Sequence, residues 1–352
     1  MPALRVWQGG AWQTWLMAQW QQTPPSLGAR LLQPLAWLYG AATAMRRGLY
    51  RVGLLRTLTP SRPTIVVGNV LVGGAGKTPA TLHLVRWLRS QGHVPGVVSR
   101  GHGRQGSSVQ SVEPGSSAAA VGDEPLLIHL RTGAPVVVGM DRVAAARCLC
   151  EAHPEVTVLV ADDGLQHLKL GRDIEVVVFD DRGAGNGLLL PAGPLREPLP
   201  TRILPHRLVL YSNGQPSTHL PGYVGTRQLA GIVNLAAWWA DPTAPALPCA
   251  TLHGRRIWAA AGLARPEPFF AMLEAQGLVI HRLPLPDHHR FNDLPWPADA
   301  QDVVVTEKDA VKLRPHQVGQ ARVWVARLDF EPEPAFSSAL LSLLHAVTRN
   351  PP

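Results

Sequence analysis

Between residues 27 and 52, Leu31, Leu35, Leu38, Ala42, Met45, Leu49 and Val52 follow one another at alternating steps of four and three, the spacing that lines one face of an α-helix. Arg47 and Arg51 project from roughly the other side. The stretch between Arg30 and Arg46 carries no charge but is shorter than the roughly 20 residues of a membrane-crossing helix, so the segment is expected to lie on a membrane or pack on a core. Trp37 and Tyr39, with Trp12, Trp15 and Trp20 upstream, supply interfacial aromatics for the membrane-surface reading. An ordinary amphipathic helix covering a sheet is the alternative, and the segment alone supports both.

From "TIVVGNV" onward the period changes. Short β-branched runs, "VPGVVSRG", "VTVLVADDGLQ" and "DIEVVVFDDRG", alternate with helical stretches such as "DRVAAARCLCEA". They are apolar throughout, as in parallel strands buried on both faces, which predicts an α/β fold with a doubly wound parallel sheet. A second, smaller α/β unit is expected from "GTRQLAGIVNL" through "RIWAAAGLARPEPFFAMLEAQG" to "DVVVTEKDAV", giving segments 1–58, 59–225 and 226–352. A length of 352 residues suits two packed cores. "GRQGSSVQSVEPGSSAAAVGDEP" is Ser/Gly-rich and reads as a mobile loop. There is no internal repeat.

Charged residues make up only 16% of the chain, below the usual ~25%, which points to a surface partly shielded by something apolar. The net charge of +8 suits anionic partners without choosing among them. Only four of the basic residues are lysines, and three of these, Lys77, Lys308 and Lys312, fall inside "GAGKTP" and "TEKDAVKL". Cys148, Cys150 and Cys249 lack paired zinc-site spacing, so a reducing compartment is expected. The leading "MPALRVWQGGAWQTWLMAQW" is too interrupted for a signal peptide.

The chemistry concentrates in "VVGNVLVGGAGKTP". A backbone leaving a strand can wrap a polyphosphate only where side chains do not intervene, and Gly73, Gly74 and Gly76 precede Lys77 and Thr78 at such a strand-to-helix turn. Leu71, Val72, Ala75 and the three glycines would line the nucleotide, Lys77 would bridge the outer phosphates, and Thr78 would hold Mg²⁺. The pattern G-x-x-x-x-G-K-[ST] is incomplete, since Leu71 occupies its first position. A phosphate loop also needs an acid at a neighbouring strand end. "VTVLVADD" offers Asp162 and Asp163, and "IEVVVFDD" offers Asp180 and Asp181; the first pair is favoured because Gln166 and His167 follow it beside the phosphates.

Together the motifs resemble the tetraacyldisaccharide 4'-kinase family, the lipid A 4'-kinases of Gram-negative bacteria. The similarity runs in order from "LAWLYGAATAMRRGLYRVGLL" through "VGNVLVGGAGKTP", "VVSRGHGR", "VGDEP", "ADDGLQH" and "GNGLLLPAGPLREP" to "AAGLARPEPFF", "LPDHHRF" and "VVVTEKDAVKL". It implies transfer of the ATP γ-phosphoryl to the 4'-hydroxyl of tetraacyldisaccharide 1-phosphate, giving lipid IVA. It also implies a peripheral enzyme on the cytoplasmic side of the inner membrane, with no nucleic acid and no obligate protein partner. Carried over by residue, the resemblance assigns Lys77 and Thr78 to the phosphate loop and Asp162 and Asp163 to the metal, with Glu124 nearby. Asp123 of "VGDEP" becomes the acid that activates the acceptor hydroxyl, and His288 of "LPDHH" its partner. Arg100 and Arg196 stand as phosphate contacts or solvated surface residues; Glu307, Lys308 and Asp309 are read as structural or nucleotide-edge. Two positions depart from the family pattern: Leu71 stands where a small hydroxyl residue is common, and His102 where Tyr is usual.

Two rivals stand beside this reading. A P-loop GTPase or metal-insertion ATPase would act as a switch, yet "TEKD" misplaces the lysine of a guanine-reading N/T-K-x-D element by one residue. A non-catalytic, membrane-associated nucleotide-binding protein would keep the loop and dispense with Asp123. Scattered arginines without an aromatic-basic module argue against nucleic acid.

Overall fold

A computed structural model describes residues 11–74 and 76–349; residues 1–10, Ala75 and residues 350–352 lie outside the described residues, and with them the assignment of Ala75 to the nucleotide. Three helices come first: α1 (Ala11–Trp20), α2 (Leu27–Leu31) and α3 (Gln33–Arg51). The next stretch comprises β1 (Thr64–Gly68), α4 (Lys77–Ser90), β2 (Pro95–Ser99), β3 (Gln110–Ser111), α5 (Ala118–Val121), α6 (Asp123–Thr132), β4 (Val136–Val138) and α7 (Arg142–Ala152). It continues with β5 (Val158–Asp162), β6 (Ile174–Phe179) and β7 (Arg207–Tyr211). The remainder holds β8 (Tyr223–Asn234), α8 (Leu235–Ala240), β9 (Ile257–Ala261), α9 (Glu267–Ala275), β10 (Ile280–Pro284), β11 (Asp302–Thr306), α10 (Glu307–Ala310), β12 (Arg322–Pro332) and α11 (Pro334–Arg349).

All twelve strands join one sheet in the order β10-β9-β11-β12-β8-β7-β6-β1-β5-β2-β4-β3. Pairing is parallel except for β8 with β12 and β3 with β4. The α/β expectation holds, and its cause is visible in β1. Ile65 and Val67 point into a core with Leu84, Leu88 and Leu126 of α4 and α6, while Val66 points into another with Ala145, Ala146 and Leu149 of α7. A strand covered on both faces has no polar position to alternate with. The chain crosses the 225/226 boundary inside β8, whose first residues pair with β7 and whose length pairs with β12.

The Ser/Gly-rich segment differs from its expected loop. Gln110 and Ser111 pair with Val138 and Val137, and Ser117 caps α5 by accepting from the Ala120 amide. An alanine run behind a serine cap suffices for a helical turn, which composition alone conceals.

The α3 helix sits on the body by its more polar side. Ala36 is buried, the Tyr39 hydroxyl donates to the Arg196 carbonyl at 2.9 Å, Arg47 pairs with Glu197, and Arg46 reaches the Gln166 carbonyl at 3.4 Å. The apolar stripe faces outward, with Leu31 82%, Leu38 68%, Met45 66% and Val52 69% exposed. Among the described residues no helix is long and apolar enough to cross a membrane.

Candidate active site

β1 ends at the centre of the parallel sheet, between β5 and β6, where strand order reverses and open α/β sheets bind ligands. The chain then turns through Gly73 (φ 91°) and Gly76 (φ 81°), left-handed conformations that a side chain would strain, and enters α4 at Lys77. Arg182 donates to the carbonyls of Val72 (3.2 Å) and Gly74 (2.8 Å), fixing the outward-facing oxygens of the loop. The Leu71 side chain is fully buried in the core with Leu195, so only its main chain is available to a ligand. Val72 and Thr78 are half-buried, and Gly74 is exposed.

Lys77 is buried, its Nζ 3.2 Å from Asn69 Oδ1 and 3.0 Å from Asp163 Oδ1. Burial alone would push the Asp163 carboxyl up, but Lys77 and Arg196 outweigh it and bring it below its usual range. Asp162 pairs in register with Val67 of β1 and accepts from Thr81 Oγ1 at 2.9 Å. Its other oxygen, Oδ2, is buried without a partner. Burial, reinforced by Glu124 and Asp163, pushes Asp162 up to about 7.

An orphaned carboxylate oxygen among three acids is chemistry that a divalent cation completes. Among the described residues no group of three or more His, Cys, Asp or Glu could hold a metal alone. That fits Mg²⁺, which takes one or two protein carboxylates and leaves the rest of its shell to phosphate and water.

Of the remaining sequence-predicted residues, Gln166 donates from Nε2 to the Asn69 carbonyl (2.9 Å) and accepts from Arg196 at 3.2 Å, while Arg196 lies 3.7 Å from Asp163. His167 is driven down to about 4 by burial and by Arg142, so it is neutral at pH 7. Arg100 is exposed beyond β2, beside Arg142. The second acid pair is spent on arginines: Asp180 on Arg182 at 2.8 Å, and Asp181 on Arg265 at 2.6 and 2.9 Å.

Across the crevice, Asp123 at the start of α6 and His288 in the loop after β10 meet: Nδ1 lies 2.9 Å from Asp123 Oδ2. Among the described residues only three without glycine's freedom take positive φ, and two are His288 (58°) and Asp163 (51°), the backbone strain that functional sites concentrate. Burial would raise the Asp123 carboxyl, but the His288 hydrogen bond with Lys308 and Lys312 leaves it lowered; the hydrogen bond to Asp123 in turn raises His288. The His102 ring packs on His288 with centroids 5.1 Å apart.

The "TEKDAVKL" lysines complete this side. Lys308 Nζ lies 3.1 Å from Glu124, 3.3 Å from Asp287 and 3.5 Å from His288 Nε2, and Lys312 Nζ lies 3.8 Å from Asp123. Burial opposes the Lys308 charge, but Glu124, Asp123 and Asp287 outweigh it and raise its pKa. Glu307 pairs with Arg131 in the interior, and Asp309 accepts from the Gly262 amide at 2.9 Å. Sequence reasoning gave Lys308 only a structural or nucleotide-edge role and Lys312 none, although their scarcity marked them. It had no signal for Arg182, Asn69 or Thr81.

A family model described as tetraacyldisaccharide-1-P 4'-kinase matches residues 28–345. The chain belongs to that family. It is therefore an ATP-binding kinase of lipid A biosynthesis. Among its relatives, the tetraacyldisaccharide 4'-kinase of Methylibium petroleiphilum is 56% identical over 333 residues, 93% of this chain and 92% of that protein. The tetraacyldisaccharide 4'-kinase of Leptothrix cholodnii is 51% identical over 341 residues, 96% and 95% of the two chains. A crystal structure of LpxK from Aquifex aeolicus in complex with ATP superposes with a TM-score of 0.75 at 26% identity, covering 90% of this chain and all of that one. For this kinase family member, the loop at Lys77 and the pair at Asp123 are linked through Glu124, which pairs with Lys308 and acts on Asp162.

Proposed function

We propose that this kinase binds Mg²⁺-ATP on the loop at residues 71–78 and phosphorylates the 4'-hydroxyl of tetraacyldisaccharide 1-phosphate. Thr78, Asp162 and Asp163, with Glu124 beside them, would hold the ion, which when bound supplies positive charge to the phosphates. The acceptor hydroxyl approaches Asp123. As its oxygen bonds to the γ-phosphorus, its proton passes to the Asp123–His288 pair, and the bond to the β-phosphate oxygen breaks with its electrons leaving on ADP. Lys77 leaves its carboxylate for the transferring group, where its charge counts most. Residues 226–352 act as a unit that closes over the nucleotide and keeps water from it.

The observation that carries this reading is the meeting of Asp123 and His288 across 165 residues of sequence, at 2.9 Å, beside acids that converge on the phosphate-loop lysine. The outward apolar face of α3, flanked by Arg30, Arg46 and Arg51, supports peripheral attachment to the cytoplasmic face of the inner membrane, where the lipid acceptor lies. Purified protein incubated with Mg²⁺-ATP and the disaccharide 1-phosphate should add one phosphate to the lipid by mass; an unchanged lipid would overturn the assignment.

A further inference from the structure

Three arginines cluster behind the glycine loop, two of them touching it: Arg182 after β6 and Arg227 on β8, with Arg265 after β9 beside them. Two carboxylates serve them. Asp180 takes Arg182 and Asp181 takes Arg265 in a two-pronged pair, with Arg265 also 3.6 Å from Asp180. Arg227 is the surplus cation. Among the described residues no carboxylate lies within ion-pair distance of it. Its Nη2 donates to Ser212 Oγ at 2.5 Å, and its Nε is buried with no partner.

Its position is specific. A Cβ added at Gly76 would lie 2.2 Å from Arg227 Nη2 and 2.9 Å from its Cζ, so the guanidinium rests directly on the residue that opens α4. Gly76 therefore has two reasons to be glycine: its positive φ and this contact. A largely buried guanidinium with one hydroxyl partner is electrostatically incomplete, and burying an unpaired cation costs free energy unless an anion arrives. The anion that comes to this loop is a polyphosphate.

We propose that Arg227 is a phosphate-contacting residue of the nucleotide site, delivered by the strand that links the two halves of the chain. The inference rests on the nucleotide reading of the loop and extends it. An oxygen of the bound triphosphate becomes the second partner of the guanidinium, so nucleotide occupancy is felt by β8 and, through its antiparallel pairing with β12, by the second half of the sheet. Arginine suits the task because its planar fork serves Ser212 and a phosphate at once.

The test compares full-length wild type with Arg227→Met and Arg227→Lys, measuring ATP and ADP binding by calorimetry with Mg²⁺ and unfolding temperature with and without ATP. The expected result for Arg227→Met is ATP binding weaker by about tenfold or more and a smaller ATP-induced rise in Tm. Its ligand-free Tm should be unchanged or higher, because an apolar chain replaces an under-partnered cation. Arg227→Lys should recover part of the affinity. Equal ATP affinity in wild type and Arg227→Met overturns the proposal, as does a ligand-free Tm that falls while the ATP-induced rise persists. Should Arg227→Met fail to fold, Arg227→Gln, which keeps a donor for Ser212 without the charge, decides by the same readouts. Binding is measured without lipid, so a wrong acceptor leaves this test standing; wild type that binds no ATP overturns it together with the nucleotide reading.

Discussion

Two strands of this kinase end in the same letters. β5 ends at Asp162 with Asp163 next, and β6 is followed by Asp180 and Asp181; both strands flank β1, and both place a carboxylate pair at the same end of the sheet. Their fates diverge through their neighbours. Asp180 and Asp181 meet Arg182 and Arg265, whose guanidiniums satisfy them, and Arg182 also braces the carbonyls of the loop. Asp162 and Asp163 meet a threonine, a lysine, a more distant arginine and another acid, which leaves one buried oxygen unpaired and one carboxyl raised to about 7. A carboxylate fully served by the protein contributes to architecture; one left short of a partner is available for a ligand.

The strongest challenge to this contrast is to remove one acid from each pair. Asp163→Asn should lower kcat about a thousandfold by removing a carboxylate proposed to hold the metal ion at the phosphates. Asp181→Asn cuts one prong of an outer brace and should cost less than about tenfold. Steady-state kinetics with the lipid acceptor would show this, and comparable losses would erase the distinction. Next in size, Asp123→Ala should cost kcat about a hundredfold or more while ATP affinity, read by calorimetry, stays within about twofold. A native rate in that variant removes Asp123 from the chemistry.

Glu307 tests the architectural side of the contrast. It is buried with Arg131, and its second oxygen accepts from the Leu328 amide at 3.2 Å. Glu307→Leu should destabilise the fold by about 3 kcal/mol in urea titrations, because it leaves the buried Arg131 guanidinium with only the half-exposed Asp329, and adding Arg131→Met should restore most of the loss. At neutral pH the smallest effect belongs to His167, which shows only as acid is added. Its folded pKa of about 4 lies below the ordinary 6.5, so the unfolded chain binds a proton first as pH falls. Stability from this residue is fully present above about pH 6.5 and declines toward pH 4. Unfolding titrations at several pH values should show a flatter profile over that window in His167→Gln.

The parallel sheet and the glycine turn into α4 were legible because buried strands and glycine turns have local causes, recorded in consecutive residues. The Asp123–His288 pair was legible only through family resemblance, since nothing near either residue signals the other. Arg182, Arg227 and Arg265 could not be picked out, because the chain writes arginine almost everywhere it places positive charge. Lysine carried more information: with only four in the chain, the three inside motifs all reached the crevice. For α3, periodicity told which side is greasy but not which side meets the body, and the attachment through Tyr39 and Arg47 depends on residues more than a hundred positions away.

That attachment fixes a direction. Tyr39, Arg46 and Arg47 anchor the helix to the segments bearing Gln166, Arg196 and Glu197, so its oily ridge keeps a set angle to the mouth of the crevice. Whatever surface the ridge settles on, the pose of the enzyme above it is decided in advance by the folded chain.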